Sequence, residues 1–186
     1  MLLADCNLFA GENKLQFEIV PFDICDESMK EQLCVMIRDD QEMAKILDTN
    51  EESMRQNYLS CPDLQYDVQS FVCRSTDRSA KIYGFIQCSQ HDEFYECAEL
   101  VTIQEKLVGF VNGIAVHKDY RGCGVALALL NHFEEICKIN GMQQLMLFTG
   151  VDNDKAIRAY TRYGFKIDPA YSTHLGITMI KLIHEN

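Results

Sequence analysis

Residues Ile114–Leu130 read IAVHKDYRGCGVALALL, and this stretch decides the fold. Ile114–Val116 closes a nearly continuous apolar run, Leu107–His117, of the kind expected of a strand covered on both faces. A four-residue turn leads into Arg121-Gly122-Cys123-Gly124-Val125-Ala126. A long helix is expected over Gly122–Asn140, with Val125, Leu129, Phe133, Ile136 and Cys137 on one face and Gly141 as its stop. The first N–H groups of such a helix lack intrahelical acceptors and lie at the positive end of its dipole. Gly122, Gly124 and Ala126 are small enough for an anion to approach the backbone, and Arg121 sets a positive charge beside them. The loop therefore reads as a site for a phosphate-bearing ligand, or as a glycine turn that only joins strand to helix. It is not a P-loop, because no Gly-Lys-Ser/Thr follows, and its glycine spacing misses the dinucleotide fingerprint G-x-G-x-x-G.

N-terminal to this unit, Lys14–Phe22 reads as a strand. Asp26 is placed to cap a helix through Arg38, with Met29, Leu33, Val35, Met36 and Ile37 as its apolar side. Asp39–Leu47 and Glu51–Leu59 suggest two short helices, broken at Cys61-Pro62-Asp63. Val68–Arg74 and Lys81–Gln90 are strand-like and separated by a turn at Ser75–Arg78, while Phe94–Gln104 fits either a strand or a short helix. Beyond the long helix come a strand at Gln144–Phe148 and a helix at Asn153–Tyr163, capped by Asp152 or Asn153 and stopped by Gly164. Strands at Phe165–Asp168 and Leu175–Ile183 follow. The order is mixed α+β. No repeat or Pro/Gly-rich linker divides it, and residues 1–186 are expected to form one domain.

A net charge of -11 opposes binding to nucleic acid, which needs a basic surface. It suits a cationic substrate, or serves solubility alone. The nine cysteines are odd in number, scattered and without a CxxC pair, which fits free thiols in a reducing compartment and neither disulfides nor a zinc site. The start of the chain lacks the basic segment of a secretory signal, and no apolar run reaches bilayer length. A cytoplasmic protein with no metal and no membrane partner is expected.

Arg121-x-x-Gly124-x-Ala126 resembles the acetyl-CoA motif Q/R-x-x-G-x-G/A of the GCN5-related N-acetyltransferases (GNAT). NDKAIRAYTRYGF resembles the family's second block through Asn153, Ala156, Tyr160, Gly164 and Phe165. The two blocks cover about Leu107–Asp168; the N-terminal half matches only in its order of elements. The resemblance implies a central, mostly antiparallel sheet flanked by helices, with acetyl-CoA bound at a strand–loop–helix site. It implies that Ile114, Ala115 and Val116 pair with the pantetheine arm, and that Arg121, Gly122, Cys123, Gly124, Val125 and Ala126 surround the pyrophosphate. Asn153 would bind the pantetheine or cap its helix. Tyr160, the residue that the resemblance makes catalytic and a cofactor contact, would protonate the leaving thiolate, or be a core tyrosine. Tyr163 is its substitute on the same helix face. A phenol suits that task because its ordinary pKa of about 10 lies near the roughly 8.5 of a thiol. The backbone N–H of Val116 would polarise the thioester carbonyl.

The implied function is transfer of the acetyl group to a primary amine, of a small molecule or peptide, by direct attack in a ternary complex. One departure stands out. Many members carry Glu where this chain has Asn112, and Asn accepts no proton at neutral pH. Glu96, Glu99, Glu105 and His174 are stand-in bases supported only by their residue type. The missing Glu leaves an alternative open: a catalytically weak acetyl-CoA-binding sensor or scaffold. The acceptor, the use of longer acyl groups and the oligomeric state stay open too, although homodimers are common among relatives.

Overall fold

The structure is a computed structural model, and it describes residues 8–10, 13–40, 67–91, 95–97, 101–103, 107–174 and 176–183. Its strands are β1 (Leu8–Ala10), β2 (Asn13–Leu15), β3 (Phe17–Pro21), β4 (Asp67–Ser75), β5 (Ile82–His91), β6 (Tyr95–Cys97), β7 (Val101–Ile103), β8 (Val108–Val116), β9 (Gln144–Gly150), β10 (Lys166–Ile167) and β11 (Gly176–Leu182). Among the described residues the α-helices are α1 (Glu27–Arg38), α2 (Val125–Ile139) and α3 (Asp154–Tyr163). The main sheet has the order β10-β11-β9-β8-β5-β4-β3; β1-β2 and β6-β7 are separate antiparallel pairs. Pairing is antiparallel for β3–β4, β9–β11 and β10–β11 and parallel for β8–β9. This is the mixed, mostly antiparallel sheet that the resemblance implies.

Two compact units divide the chain. One comprises Met1–Gln65, Gln69–Gln87 and Gly113–His132, the other Tyr66–Val68, Cys88–Asn112 and Phe133–Asn186. In the first unit the Asp26 carboxylate caps α1 by accepting from the N–H groups of Ser28 and Met29, at 2.9 and 3.0 Å. Met29, Leu33, Cys34, Met36 and Ile37 of α1 pack with Val72, Ile82, Phe85 and Ala115. Cys34 is buried where the sequence suggested Val35, which is only half-buried. The start of α2 lies close on β5: a Cβ on Gly84 would come within 2.7 Å of Val125 Cγ1 and 3.2 Å of Leu129 Cδ1. Only a residue without a side chain lets helix and strand approach so closely.

In the second unit Val108, Phe110 and Met146 form a core with Ile180. Gly109 receives the Cys137 thiol and the Leu145 and Phe133 side chains where its own Cβ would stand. The parallel β8–β9 register runs from Val108↔Gln144 to Val111↔Leu147 and stops. The remaining five residues of β8, Asn112–Val116, therefore have no register partner in β9.

Two boundaries differ from the sequence reading. Lys14–Phe22 is not one strand: β2 ends at Leu15 and β3 begins at Phe17, each with its own partner. The long helix begins at Val125 and not at Gly122, because Gly122 and Gly124 have φ of +76° and +86°, which no right-handed helix accommodates. The segments proposed as helices at Asp39–Leu47 and Glu51–Leu59, apart from Asp39 and Asp40, lie outside the described residues, as does the break at Cys61-Pro62-Asp63. Within the ambiguous Phe94–Gln104 stretch, β6 and β7 pair as strands. Described cysteines are free thiols, with Cys34, Cys73, Cys88 and Cys137 buried. No helix among the described residues is long and apolar enough to cross a membrane.

Candidate functional site

The loop belongs to the first unit. The N–H of His117 donates to Tyr83 O at 2.9 Å. Successive residues of a strand point their backbone groups to opposite edges, so the Val116 N–H and C=O face away from β5. Lys118–Tyr120 form a 3₁₀ turn whose second residue, Asp119, donates its N–H to His117 Nδ1 at 3.2 Å. That bond puts the proton of a neutral His117 on Nε2. Burial, and then the Lys81 ammonium, lower its pKa, so the imidazole is neutral at pH 7. Beneath the turn the Tyr120 ring packs on Tyr83, with centroids 4.2 Å apart, and Lys81 Nζ stands 4.9 Å from the Tyr120 centroid.

Arg121 is engaged by other parts of the first unit. Its Nε donates to Val116 O at 3.2 Å and its Nη2 is paired with the carboxylate of Asp40, which is only 5% exposed. The guanidinium thus ties the loop to the end of β8 and neutralises a buried acid. Beyond it, a Cβ on Gly122 would meet nothing within 4 Å. The N–H groups of Val125, Ala126 and Leu127 find no acceptor among the described residues, and no acidic side chain occupies the first turn of α2. The Val125 side chain is buried, Cys123 and Ala126 are half-buried, and Cys123 Sγ lies 3.7 Å from Arg121 O. Open backbone donors at the positive end of a helix dipole are the groups that an anion would need. Of the strand residues, Ala115 is buried and Ile114 and Val116 are half-buried.

The other expected residues belong to the second unit. Asn153 is the N-cap of α3, its Oδ1 accepting from the Ala156 N–H at 3.3 Å. Tyr160 lies on the last full turn of α3, half-buried, its ring edge-on to Phe165 at 5.9 Å. Its hydroxyl has no hydrogen-bond partner among the described residues, and burial pushes its pKa up to about 12. Tyr163 is bound elsewhere: its hydroxyl donates to Glu134 Oε2 at 2.5 Å. Burial and that bond to the proton-accepting carboxylate raise its pKa far above the ordinary value. The two tyrosines thus differ in their hydrogen bonding: Tyr163 is engaged by Glu134, and Tyr160 has no such partner among the described residues. Asn112 Oδ1 accepts from Ser89 Oγ at 3.0 Å, and Ser89 is buried. His174 is exposed in the loop before β11; β6 carries Glu96, and Glu99 and Glu105 lie outside the described residues.

Three partners escaped the sequence reading: Asp40 for Arg121, Ser89 for Asn112 and Glu134 for Tyr163. Only Glu134 left a trace. It interrupts the otherwise apolar stripe Leu130, Phe133 and Cys137 on α2, and an acid in a buried stripe demands a partner.

The chain matches the model of the acetyltransferase (GNAT) family over residues 33–165, and it belongs to that family. It is similar to an uncharacterized N-acetyltransferase of Methanocaldococcus jannaschii, 33% identical over 96 residues, which cover 52% of this chain and 38% of that protein. It is likewise similar to N-alpha-acetyltransferase 30 of Schizosaccharomyces pombe, 33% identical over 101 residues, covering 54% and 59% of the two chains. In neither case does the match reach two thirds of the relative's length. Among solved structures, NAA60 of Arabidopsis thaliana in complex with acetyl-CoA superposes with a TM-score of 0.63 at 19% identity, covering 90% of this chain and 99% of the other. The PaiA N-acetyltransferase of Thermoplasma acidophilum in complex with coenzyme A gives 0.63 at 17%, with the same coverage. These likenesses establish a shared fold.

Proposed function

We propose that residues 1–186 act as one N-acetyltransferase domain that moves the acetyl group of acetyl-CoA to a primary amine in a ternary complex. The observation that carries this reading is the uncapped start of α2, open behind two positive-φ glycines and without a carboxylate in its first turn. A pyrophosphate would take N–H groups of the loop between Gly122 and Ala126, other than that of Cys123, which donates to Tyr120 O at 3.4 Å. Arg121 contributes by holding that loop rather than by meeting the phosphates. The edge of Ile114–Val116 turned away from β5 would pair with the pantetheine amides, and the Val116 N–H on that edge suits the carbonyl oxygen as it gains charge.

The neutral amine attacks the thioester carbon, the C–S bond breaks, nitrogen loses a proton and sulfur gains one. Tyr160, whose hydroxyl has no hydrogen-bond partner among the described residues and stays protonated at neutral pH, would meet the sulfur. A pKa near 12 stands well above the roughly 8.5 of a thiol. The hydroxyl therefore acts chiefly by hydrogen-bonding the developing thiolate. The name of the Schizosaccharomyces pombe relative puts peptide α-amines first among acceptors to try, and the acidic chain favours cationic ones.

A second reading, a coenzyme-binding module with weak catalysis, draws on Asn112, whose amide oxygen already accepts from Ser89. One assay separates the two. Acetyl-CoA consumption is measured over a panel of peptides, polyamines and small amines, with wild type and Tyr160→Phe. Transfer with a wild-type rate that falls about 10²–10⁴-fold in kcat, at unchanged KM for acetyl-CoA, supports the enzyme and the role of Tyr160. Tight acetyl-CoA binding with no turnover on any amine supports the module.

A further inference from the structure

We propose that Glu134 is a positioning residue: through Tyr163 and Phe165 it fixes the ring of Tyr160 against the leaving group. The inference rests on the proposed role of Tyr160 and extends it to a residue of another helix. Glu134 is 9% exposed and lies on the inner face of α2. Its Oε2 accepts from the Tyr163 hydroxyl and from Lys181 Nζ, each at 2.5 Å, and Lys138 Nζ lies 3.5 Å from Oε1. Both carboxylate oxygens are engaged, and Lys181 Nζ also stands 3.9 Å from the centroid of the Tyr163 ring. The phenol of Tyr163 is therefore held from its oxygen and from one face.

The hold passes on by packing. The Tyr163 ring lies 5.9 Å from Phe165 at an interplanar angle of 31°, and Phe165 is 1% exposed. On Phe165 in turn rests the edge-on ring of Tyr160, at 5.9 Å and 66°. The backbone closes the same loop: Gly164, at φ +106°, ends α3 and lets the Phe165 N–H donate to Tyr160 O at 3.0 Å. Tyr160 itself makes no side-chain hydrogen bond among the described residues. Its orientation therefore depends on Phe165, and that of Phe165 on a tyrosine bolted to a buried charge. A fully occupied carboxylate between two helices and a strand is a rigid support, and misplacing a reacting group by about an ångström costs up to about a hundredfold in rate.

The test is a set of double-mutant cycles. Glu134→Gln and Tyr163→Phe are made alone and in Tyr160→Phe, and acetyl-CoA consumption is followed with the amine panel. Each single variant is expected to lower kcat about tenfold or more, with the KM for acetyl-CoA within about twofold of wild type. Neither should lower kcat further once Tyr160 is Phe. Should Glu134→Gln fail to fold, Tyr163→Phe decides, because it keeps the ring on Phe165 and removes only the bond. Full kcat in a folded variant, or the same loss with and without the Tyr160 hydroxyl, overturns the positioning role while Tyr160 keeps its own. A Tyr160→Phe enzyme with wild-type kcat overturns both.

Discussion

Two kinds of helix start coexist in this chain. At the heads of α1 and α3 a side chain closes the first turn: Asp26 accepts from Ser28 and Met29, Asn153 accepts from Ala156, and Glu27 or Asp154 adds a negative charge. At the head of α2 the corresponding place is Gly124, and the first turn holds Val125, Ala126 and Leu127 with no acid. The three starts share the same backbone physics, four unpaired donors and a positive dipole end. They differ in who satisfies it. In α1 and α3 a side chain of the protein does so and adds stability; at α2 no side chain among the described residues does. An uncapped start costs about 1 kcal/mol relative to a capped one, and occupation of the proposed phosphate site would offset that cost.

The comparison can be broken at several points. The largest effect is expected from Gly124→Glu, which places a carboxylate in the uncapped turn and an L-residue at φ +86°. Affinity for coenzyme A, measured by calorimetry on protein shown to be folded by circular dichroism, should fall at least about a hundredfold. Ala126→Glu gives α2 the acidic first turn that α1 and α3 have. Coenzyme A binding should weaken about tenfold, while the ligand-free protein gains about 0.3–1 kcal/mol; a rise in affinity would end the anion-site reading. Asn153→Ala and Asp26→Ala remove the side-chain caps of α3 and α1. Each should cost about 1 kcal/mol in denaturant unfolding and leave coenzyme A affinity alone. A weakened affinity in Asn153→Ala alone would make that residue a pantetheine ligand as well. The smallest effect belongs to Cys123→Ala. Direct transfer needs no acyl-enzyme, so kcat should stay within about twofold of wild type, and loss of nearly all turnover with binding intact would reveal a nucleophile.

Local chemistry made much of this legible. Asp26, Asn153 and Gly164 announced their helix ends because a cap acts within three or four residues of itself. The loop was readable for the same reason, apart from its helix boundary, where two glycines with positive φ shifted the start by three residues. What stayed hidden depends on contacts between distant positions. The pairing of Arg121 with Asp40, 81 residues away, left no mark on the loop's own sequence. Tyr160 and Tyr163 share part of a helix face, but Tyr163 donates to Glu134, 29 residues away, while the Tyr160 hydroxyl has no hydrogen-bond partner among the described residues. Asn112 shows the limit from the other side. Its substitution for Glu was plain in the sequence, but not that Ser89 already holds its amide oxygen.

The seating of Val125 on Gly84 has a further consequence. A glycine-rich loop is ordinarily among the most mobile pieces of a chain, and ordering it on a ligand costs about 1–2 kcal/mol for each residue fixed. Here contacts at both ends restrict that freedom before any ligand arrives. Helix α2 is held down on β5 at one end of the loop, Arg121 is fastened to Val116 and Asp40 at the other, and the two glycines between them have their torsions set. Ordering paid for when the protein folds would let a phosphate bound at the proposed site keep more of the energy of its hydrogen bonds as affinity.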